Sequence, residues 1–134
     1  MAYEGKLYKH VRDENIEVFV KSLNLPEEHT IGFLNNKPDQ KLEKNGDSYT
    51  LTTISANNTK ELTFKDGVEF DETIVPGLVP KTTFTLNGNT LTQVQKFDDG
   101  NVIITKREYS GDGLTVTFLR NNVDGPTGIR HYKA

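Results

Sequence analysis

From Pro38 onward, apolar and polar residues alternate with a period of two, and short turn sequences interrupt the alternation. The turn sequences are Asn45-Gly46, Asn57-Asn58, Asp66-Gly67, Pro76-Gly77, Asn87-Gly88, Asp99-Gly100, Gly111-Asp112-Gly113 and Asp124-Gly125. Their spacing of roughly 9 to 12 residues is typical of a meander of antiparallel hairpins, and several are of the kind that forms type I′ turns. Together with a strand-like segment at residues 5–11, they predict ten strands.

Ten strands joined only to their nearest neighbours would leave two exposed edges in an open sheet. Closure into a barrel removes both edges. At that strand number the interior is wide enough for a ligand. The sequence therefore predicts an all-β fold, a ten-stranded antiparallel up-and-down β-barrel.

Residues 14–35 follow a helical pattern instead, and they predict a pair of short helices. Asp13 or Glu14 can begin the first helix, and a second can begin at Leu25 and Pro26. The apolar residues at helical spacing are Ile16, Phe19, Val20 and Leu23 in the first helix and Ile31, Phe33 and Leu34 in the second. Helices this short, with thin apolar stripes, are not stable alone, so we expect them to pack on the barrel.

The composition predicts one domain over residues 1–134, because no linker-like or low-complexity run divides the chain. The formal net charge is −3, with both signs interspersed, which excludes the concentrated basic surface that nucleic acids require. There is no Cys, and the segment MAYEGKLYKH lacks the apolar region of a signal peptide. We therefore expect a cytoplasmic protein, and we expect it to be a monomer.

Several predicted strands carry polar side chains among apolar ones on a single face. One face reads Tyr49, Leu51, Thr53 and Ser55, and another reads Ile103, Thr105, Arg107 and Tyr109. An Arg on a largely apolar face needs a partner if that face is interior. Spacing alone leaves both orientations of Arg107 open, toward the interior or toward solvent.

The last predicted strand, residues 129–133, places Arg130 and Tyr132 on one face because side chains alternate along a strand. If that face is solvent-exposed, the pair has no special role, and Arg usually prefers exposure. If the face is interior, the pair forms an anion site, since a guanidinium stays charged and the phenol adds a hydroxyl donor.

The sequence gives little support for a metal site or a catalytic site. His10, His29 and His131 are spread along the chain without a second ligand at metal spacing, so we interpret them as surface residues and assign no metal or cofactor. Glu72 is an inner carboxylate that could act as a general acid or base, but no motif links it to a nucleophile. We therefore do not expect an enzyme, including an esterase.

Four stretches of the chain carry a resemblance to a known family. They are Glu43-Lys44-Asn45-Gly46-Asp47, the run Phe64-Lys65-Asp66-Gly67-Val68-Glu69-Phe70-Asp71-Glu72, Gln95-Lys96-Phe97, and Arg130-His131-Tyr132. They resemble the cytosolic fatty-acid-binding proteins, of the intracellular lipid-binding protein family, and the resemblance covers essentially the whole chain. Tyr109-Ser110-Gly111-Asp112 is also similar to the insect midgut branch.

The resemblance implies a clam-shaped barrel with the helix pair as a lid, and a long-chain fatty acid inside as the partner. It carries the carboxylate site over to Arg107, Arg130 and Tyr132. Further cavity or portal residues are Gln40, Thr53, Ser55, Asn57, Glu72, Gln95, Phe118, Ile16 and Val20. Gln40 stands where many relatives have Thr, and Asn57 where many have a portal Phe. Retinol carriers commonly have Gln at the two Arg positions, so the Arg pair favours an acid, either a fatty acid or retinoic acid or another carboxylated isoprenoid.

The predicted lid is acidic, which bears on delivery to membranes. Residues 13–36 contain Asp13, Glu14, Glu17, Glu27 and Glu28 against Lys21. Such a surface repels anionic headgroups, whereas each basic residue would attract them by about 1 kcal/mol. We therefore expect at most transient membrane contact, with ligand leaving through the aqueous phase as the lid opens near Asn57 and Leu34.

Overall fold

The computed structural model describes residues 3–23, 26–56, 58–74, 76–120 and 127–134. Within these ranges the strands are β1 (Lys9–Glu14), β2 (Asp39–Asn45), β3 (Ser48–Ser55), β4 (Asn58–Lys65), β5 (Phe70–Asp71), β6 (Lys81–Asn87), β7 (Thr90–Lys96), β8 (Val102–Ser110), β9 (Gly113–Arg120) and β10 (Gly128–Lys133). The helices α1 (Ile16–Ser22) and α2 (Glu27–Asn35) lie between β1 and β2. The predicted ten strands and two helices are confirmed, while Asn57 and the turn Asp124-Gly125 lie outside the described residues.

Neighbouring strands pair antiparallel in the order predicted for a meander. One sheet has the order β1-β10-β9-β8-β7-β6-β5, and the other has the order β2-β3-β4. Isolated bridges, Tyr8 with Gln40 and Glu4 with Leu42, join the first segment to β2. In the described part of the chain no ladder joins β4 to β5, so hydrogen bonds alone do not close the barrel.

Aromatic packing spans the space between β4 and β5. Phe64 of β4 stacks on Phe84 of β6 with ring centroids 4.1 Å apart, and Phe70 of β5 stacks on the same ring at 6.1 Å. The Gly67 amide also donates to the Phe84 carbonyl at 2.8 Å. Because β5 has only two residues, these rings and this hydrogen bond, and not a ladder, join the two sheets at this gap.

The tight hairpins differ from the predicted type I′ turns. Gly46 and Gly88 are each the first of the two loop residues, with φ values of 65° and 61°. The Asn that precedes each glycine stays in its strand, and the second loop residue has no positive φ. A positive φ at the first loop position alone is the pattern of a type II′ turn, which needs glycine there.

The first strand and the first helix begin later than predicted. β1 runs to Glu14, because Asp13 pairs with Arg130 and Glu14 with Ile129 of β10. Asn15 then takes a left-handed conformation, with φ of 58°, and α1 begins at the next residue. Strand pairing therefore outweighs the preference of acidic residues for a helix start.

The α1 stripe packs as predicted, whereas the α2 stripe is thinner. The four apolar residues of this stripe are buried between the lid and the barrel, with exposures of 5% or less: Ile16, Phe19, Val20 and Leu23. In α2, Phe33 and Leu34 are half-buried but Ile31 is 49% exposed, and Pro26 caps the helix without entering it. No helix in the described ranges is long and apolar enough to cross a membrane.

Gly128 lies where α1 rests on β10, and a side chain there has little room. A Cβ at this position would lie 2.9 Å from Ile16 Cδ1 and 3.2 Å from Phe19 Cβ. We expect Gly128→Val to lower the free energy of unfolding by about 1–3 kcal/mol, because overpacking forces the helix away from the strand. Urea denaturation measures this change.

Gly32 of α2 provides the control, because an added Cβ there meets nothing within 4 Å. Gly32→Ala should leave stability unchanged or raise it by up to about 1 kcal/mol, as expected for alanine in a helix. Equal stability of Gly128→Val and the wild type would show that α1 can shift without cost.

Candidate functional site

The register of β8, β9 and β10 brings the predicted carboxylate residues onto one face. Two neighbouring rows of paired residues run Arg107–Val116–Arg130 and Tyr109–Leu114–Tyr132. Arg107, Arg130 and Tyr132 are 9%, 4% and 5% exposed. Alternation predicted a shared face for Arg130 and Tyr132 and left open whether it is interior, and their burial selects the interior alternative. The orientation left open for Arg107 is also inward.

Arg130 is held at the end of the lid helix α2. Its Nη1 donates to the Asn36 carbonyl at 3.0 Å and its Nη2 to the Phe33 carbonyl at 2.9 Å. The guanidinium carbon lies 4.7 Å from the centre of the Phe33 ring. Asp13 Oδ1 is 3.4 Å from Nε without hydrogen-bond geometry, so that pair is electrostatic. These contacts tie the guanidinium to the end of α2 and to β1.

Arg107 is held by two glutamines. Nε donates to Gln40 Oε1 at 3.2 Å, and Nη1 donates to Gln93 Oε1 at 2.9 Å. Burial lowers the pKa of Arg107, with smaller opposing effects of Tyr109, Tyr132 and Glu72. The guanidinium nevertheless keeps its charge at neutral pH, because arginine is not deprotonated in proteins.

Glu72 is the buried carboxylate that faces Arg107 across Gln93. Its Oε1 accepts hydrogen bonds from Thr82 Oγ1 at 2.9 Å, Gln93 Nε2 at 3.1 Å and Gln95 Nε2 at 3.0 Å. Gln93 therefore links the two charges, since its oxygen accepts from Arg107 and its nitrogen donates to Glu72. Three donors therefore meet one oxygen of a carboxyl group that is 8% exposed, which fixes the position of Glu72.

Gln40 and Tyr132 connect the two arginines. Gln40 is 4% exposed and is fixed by backbone hydrogen bonds with Tyr8 at 2.8 and 2.9 Å. Burial raises the pKa of Tyr132, while Arg130, a hydrogen bond with Gln40, and Arg107 act in the opposite direction. The phenol therefore remains a hydrogen-bond donor at neutral pH.

The other predicted site residues are divided among several places. Thr53 is half-buried, and Ser55 donates to the Asn58 carbonyl in a turn at 3.0 Å, so its hydroxyl is already engaged. Phe118 contacts both the barrel core and the cluster under the lid, to which Ile16 and Val20 belong. Asn57 lies outside the described residues, so its predicted portal role stays a prediction.

Three residues of this network were not predicted from the sequence as site residues: Asp13, Thr82 and Gln93. Gln93 could have been found, because it shares a face of β7 with Gln95. Asp13 could not, since its contact with Arg130 depends on the pairing of β1 with β10.

The histidines, which the sequence predicted to be surface residues, are partly exposed, with 27% of the His29 and His131 side chains and 13% of the His10 side chain accessible. His10, His29 and His131 are all half-buried. His10 packs edge-on against the Tyr132 ring, with centroids 5.5 Å apart, and its Nε2 lies 2.6 Å from Asp13 Oδ1. Within the described ranges no three His, Cys, Asp or Glu side chains are grouped to hold a metal ion.

Tyr109 should make stability fall at alkaline pH. Burial strongly raises its pKa, Arg107 opposes this, and its hydroxyl has no hydrogen-bond partner among the described residues. Above about pH 10 the unfolded chain releases this proton while the folded chain keeps it, so the contribution is complete below that pH and is lost above it. We expect urea denaturation between pH 8 and 11 to show a smaller decline for Tyr109→Phe than for the wild type.

At pH 7 the same substitution should change the free energy of unfolding by less than about 1 kcal/mol, because no described hydrogen bond is lost. Parallel pH profiles for the variant and the wild type would show that Tyr109 does not carry the effect.

The arrangement is suited to hold an anion next to an apolar surface. Two buried cations, a phenol and an amide converge on one face, while aromatic and aliphatic side chains form the remaining core. A carboxylate could accept from both guanidinium groups and from the Tyr132 hydroxyl. Nothing in the described network presents a nucleophile activated by a base.

Known proteins resemble this chain over its full length. It is 46% identical over 134 residues to fatty acid-binding protein 1 of Manduca sexta, and the match covers 100% of both chains. It superposes on the solved fatty-acid-binding protein isolated from Manduca sexta with a TM-score of 0.88 and 43% identity, over 98% of this chain and 99% of that one. A Schistosoma mansoni fatty acid binding protein in complex with arachidonic acid gives a TM-score of 0.84 and 28% identity, over 98% and 95%. No family model matches the chain.

Proposed function

Because the chain belongs to the fatty-acid-binding protein family, whose members are carriers and not enzymes, we propose that it transports a long-chain fatty acid with the carboxylate at Arg130, Tyr132 and Arg107. The tail lies in the barrel interior beneath the lid. The protein acts in the cytoplasm as a monomer, and nucleic acid is not among its partners. Two similar proteins of Manduca sexta, 46% and 42% identical, carry the name fatty acid-binding protein.

The burial of two guanidinium groups in one network carries this proposal. Arg130 is 4% exposed, yet its counterion Asp13 is shared with His10 and is partly open to solvent. Arg107 faces its counterion Glu72 only through Gln93. Among the described residues neither cation has a direct and exclusive carboxylate partner, so a ligand carboxylate gains strong electrostatic interactions there.

The acyl chain supplies most of the affinity and the carboxylate supplies the orientation. Burying about 15 methylenes at roughly 0.8 kcal/mol each gives on the order of 12 kcal/mol before the costs of ordering and water displacement. A charge-assisted hydrogen bond adds about 1.5–3 kcal/mol. The head group therefore selects an acid over an alcohol of equal length.

Titration calorimetry with oleate and oleyl alcohol tests the proposal. The acid should bind at least about tenfold more tightly than the alcohol, which is the consequence of one charge-assisted hydrogen bond. Equal affinities would mean that the arginines do not hold the carboxylate. Native mass spectrometry of co-purified lipid separates a fatty acid from retinoic acid, since the two differ in mass.

The acidic lid predicts delivery through the aqueous phase. Lys21 is paired with Glu17 at 2.6 Å, and Glu27 and Glu28 in the first turn of α2 are exposed. The transfer rate of a fluorescent fatty acid to vesicles should stay constant as vesicle concentration and anionic lipid content rise. A Glu27→Lys, Glu28→Lys double variant should instead respond to anionic lipid. A wild-type rate that climbs with anionic lipid would show that another surface docks on the membrane.

A further inference from the structure

The two carboxyl oxygens of Glu72 differ in how the protein uses them. Oε1 meets three donors, from Thr82, Gln93 and Gln95, at 2.9–3.1 Å. Among the described residues no hydrogen bond or ion pair reaches the second oxygen, Oε2. The residue is 8% exposed, so little water is available to this oxygen. A buried acceptor without a partner costs free energy, and a bound donor would recover it.

Arg107 determines the direction of these hydrogen bonds. A guanidinium only donates, so Gln93 turns its Oε1 to Arg107 Nη1, at a distance of 2.9 Å. The amide nitrogen of Gln93 then faces Glu72 and donates to it at 3.1 Å. Glu72 is therefore the acceptor at Oε1, and its three donors orient the whole carboxyl group, including Oε2.

The carboxyl group of Glu72 lies at a defined distance from the row of arginines. Leu91 of β7 pairs with Arg107, and Gln93 and Gln95 stand two and four residues farther along the same strand. At about 3.4 Å per residue these positions are roughly 7 and 14 Å from the arginine row. Because both glutamines donate to Glu72, its carboxyl group lies between these two levels.

An acyl chain that begins at the arginines would pass this carboxyl group. Gln95 pairs with Ile103, and Ile103 packs against the apolar cluster beneath the lid. The direction from Arg107 toward Gln95 is therefore the direction toward the lid. An extended acyl chain advances roughly 1.3 Å per carbon, given bonds of about 1.5 Å. The levels of the two glutamines correspond to about carbons 6 to 11 of a fatty acid.

The chemistry of Oε2 favours a hydroxyl group among the substituents of an acyl chain. A methylene group has no donor, and a ketone presents a second acceptor to the carboxylate oxygen. A second carboxylate would be repelled by Glu72, whereas the arginines attract it. A hydroxyl group donates, and a hydrogen bond to a charged acceptor is stronger than one between neutral groups.

We propose that this protein also carries hydroxylated long-chain fatty acids, and that Glu72 Oε2 accepts a hydrogen bond from a hydroxyl group near the middle of the acyl chain. The inference rests on the proposed fatty acid function, because the arginines hold the carboxylate of the same ligand. It gives Glu72 a role in selecting among fatty acids of equal length.

Positional isomers of hydroxystearate test where the hydroxyl group binds. In 8-hydroxystearate the group lies level with Glu72, whereas in 14-hydroxystearate it lies about 8 Å farther along the chain. Titration calorimetry should show about tenfold tighter binding of 8-hydroxystearate, the effect of one hydrogen bond to a charged acceptor. Equal affinities, or tighter binding of 14-hydroxystearate, would overturn the proposal.

Glu72→Gln exchanges an acceptor for a donor at the same place. The three donors keep the amide oxygen at the position of Oε1, so the amide nitrogen takes the position of Oε2. The wild type should bind 8-hydroxystearate about tenfold more tightly than 8-oxostearate, because the ketone only accepts. The variant should lose or reverse this preference. An affinity ratio that is the same in both proteins would contradict the role of Glu72.

Glu69→Gln is the matched control, because it removes the same charge three residues earlier. Glu69 is exposed, and its carboxylate lies 3.8 Å from Lys96 Nζ. This variant should keep the wild-type ratio of the two affinities. The same change of ratio in Glu69→Gln would attribute the effect to net charge and overturn the assignment to Oε2.

Stearate separates the failure of this inference from the failure of the proposed function. A wild type that binds stearate but does not prefer 8-hydroxystearate over its 14-isomer refutes the role of Glu72 alone. A wild type that binds none of these acids refutes the fatty acid function, and this inference with it. Circular dichroism shows whether Glu72→Gln folds, and the comparison of isomers on the wild type does not depend on that variant.

Discussion

Arg130→Ala is expected to weaken oleate binding by about 10- to 100-fold. The substitution removes a cation that is 4% exposed and shares the inner face of β10 with Tyr132. A charge-assisted hydrogen bond to a carboxylate contributes about 1.5–3 kcal/mol, and about 1.4 kcal/mol corresponds to a factor of ten. Titration calorimetry gives the change, and circular dichroism shows whether the barrel is retained.

Arg12→Ala is the matched control for that measurement. Arg12 lies on β1, its side chain is 57% exposed, and it pairs with Glu14 at 2.6 Å. Its loss should leave oleate affinity unchanged. Arg130→Lys keeps the charge but not the planar fork, so we expect an intermediate affinity. An unchanged affinity in Arg130→Ala would remove this residue from the site.

Phe84→Ala is expected to cause the largest loss of stability, about 3–5 kcal/mol. The Phe84 ring is fully buried, stacks on Phe64 and Phe70, and lies 5.9 Å from the guanidinium carbon of Arg107. Its removal leaves a cavity where no ladder joins β4 to β5 among the described residues. Urea denaturation measures the free energy of unfolding, and the comparison holds if the dependence of this free energy on urea concentration has the same slope in the variant and the wild type.

Val11→Ala is the corresponding control, because Val11 is apolar but 58% exposed. Its effect should stay within about 0.5 kcal/mol. A loss below about 1 kcal/mol in Phe84→Ala would mean that the neighbouring rings collapse into the cavity, and that the stacking does not hold the two sheets together.

The period-two pattern was sufficient to predict the strands but not how the barrel closes. Alternation placed Arg130 and Tyr132 on one face, and their burial agrees with the interior alternative. It left Arg107 undecided, because its own strand contains apolar residues on both faces. Only the pairing of β8 through β9 to β10 brings Arg107 level with Arg130.

Long-range contacts account for most of what the sequence did not reveal. Asp13 looked like a helix start, and its position beside Arg130 follows from a pairing between the first and last strands. Gly128 does not belong to any predicted turn. It lets Ile16 and Phe19 approach the strand, and the sequence around it gives no sign of that contact. Local secondary-structure propensity cannot predict either contact, because each contact joins residues far apart in the chain.

The pairing of β1 with β10 also fixes when the site can form during folding. Most ladders join consecutive strands and require only short loops to close, whereas this one closes a loop that contains almost every other strand. Closing so long a loop costs more entropy, and non-local pairing is slow to form. A nascent chain still lacking β10 has no Arg130 and no Tyr132, so the proposed carboxylate site is complete only after the ends of the sheet have met.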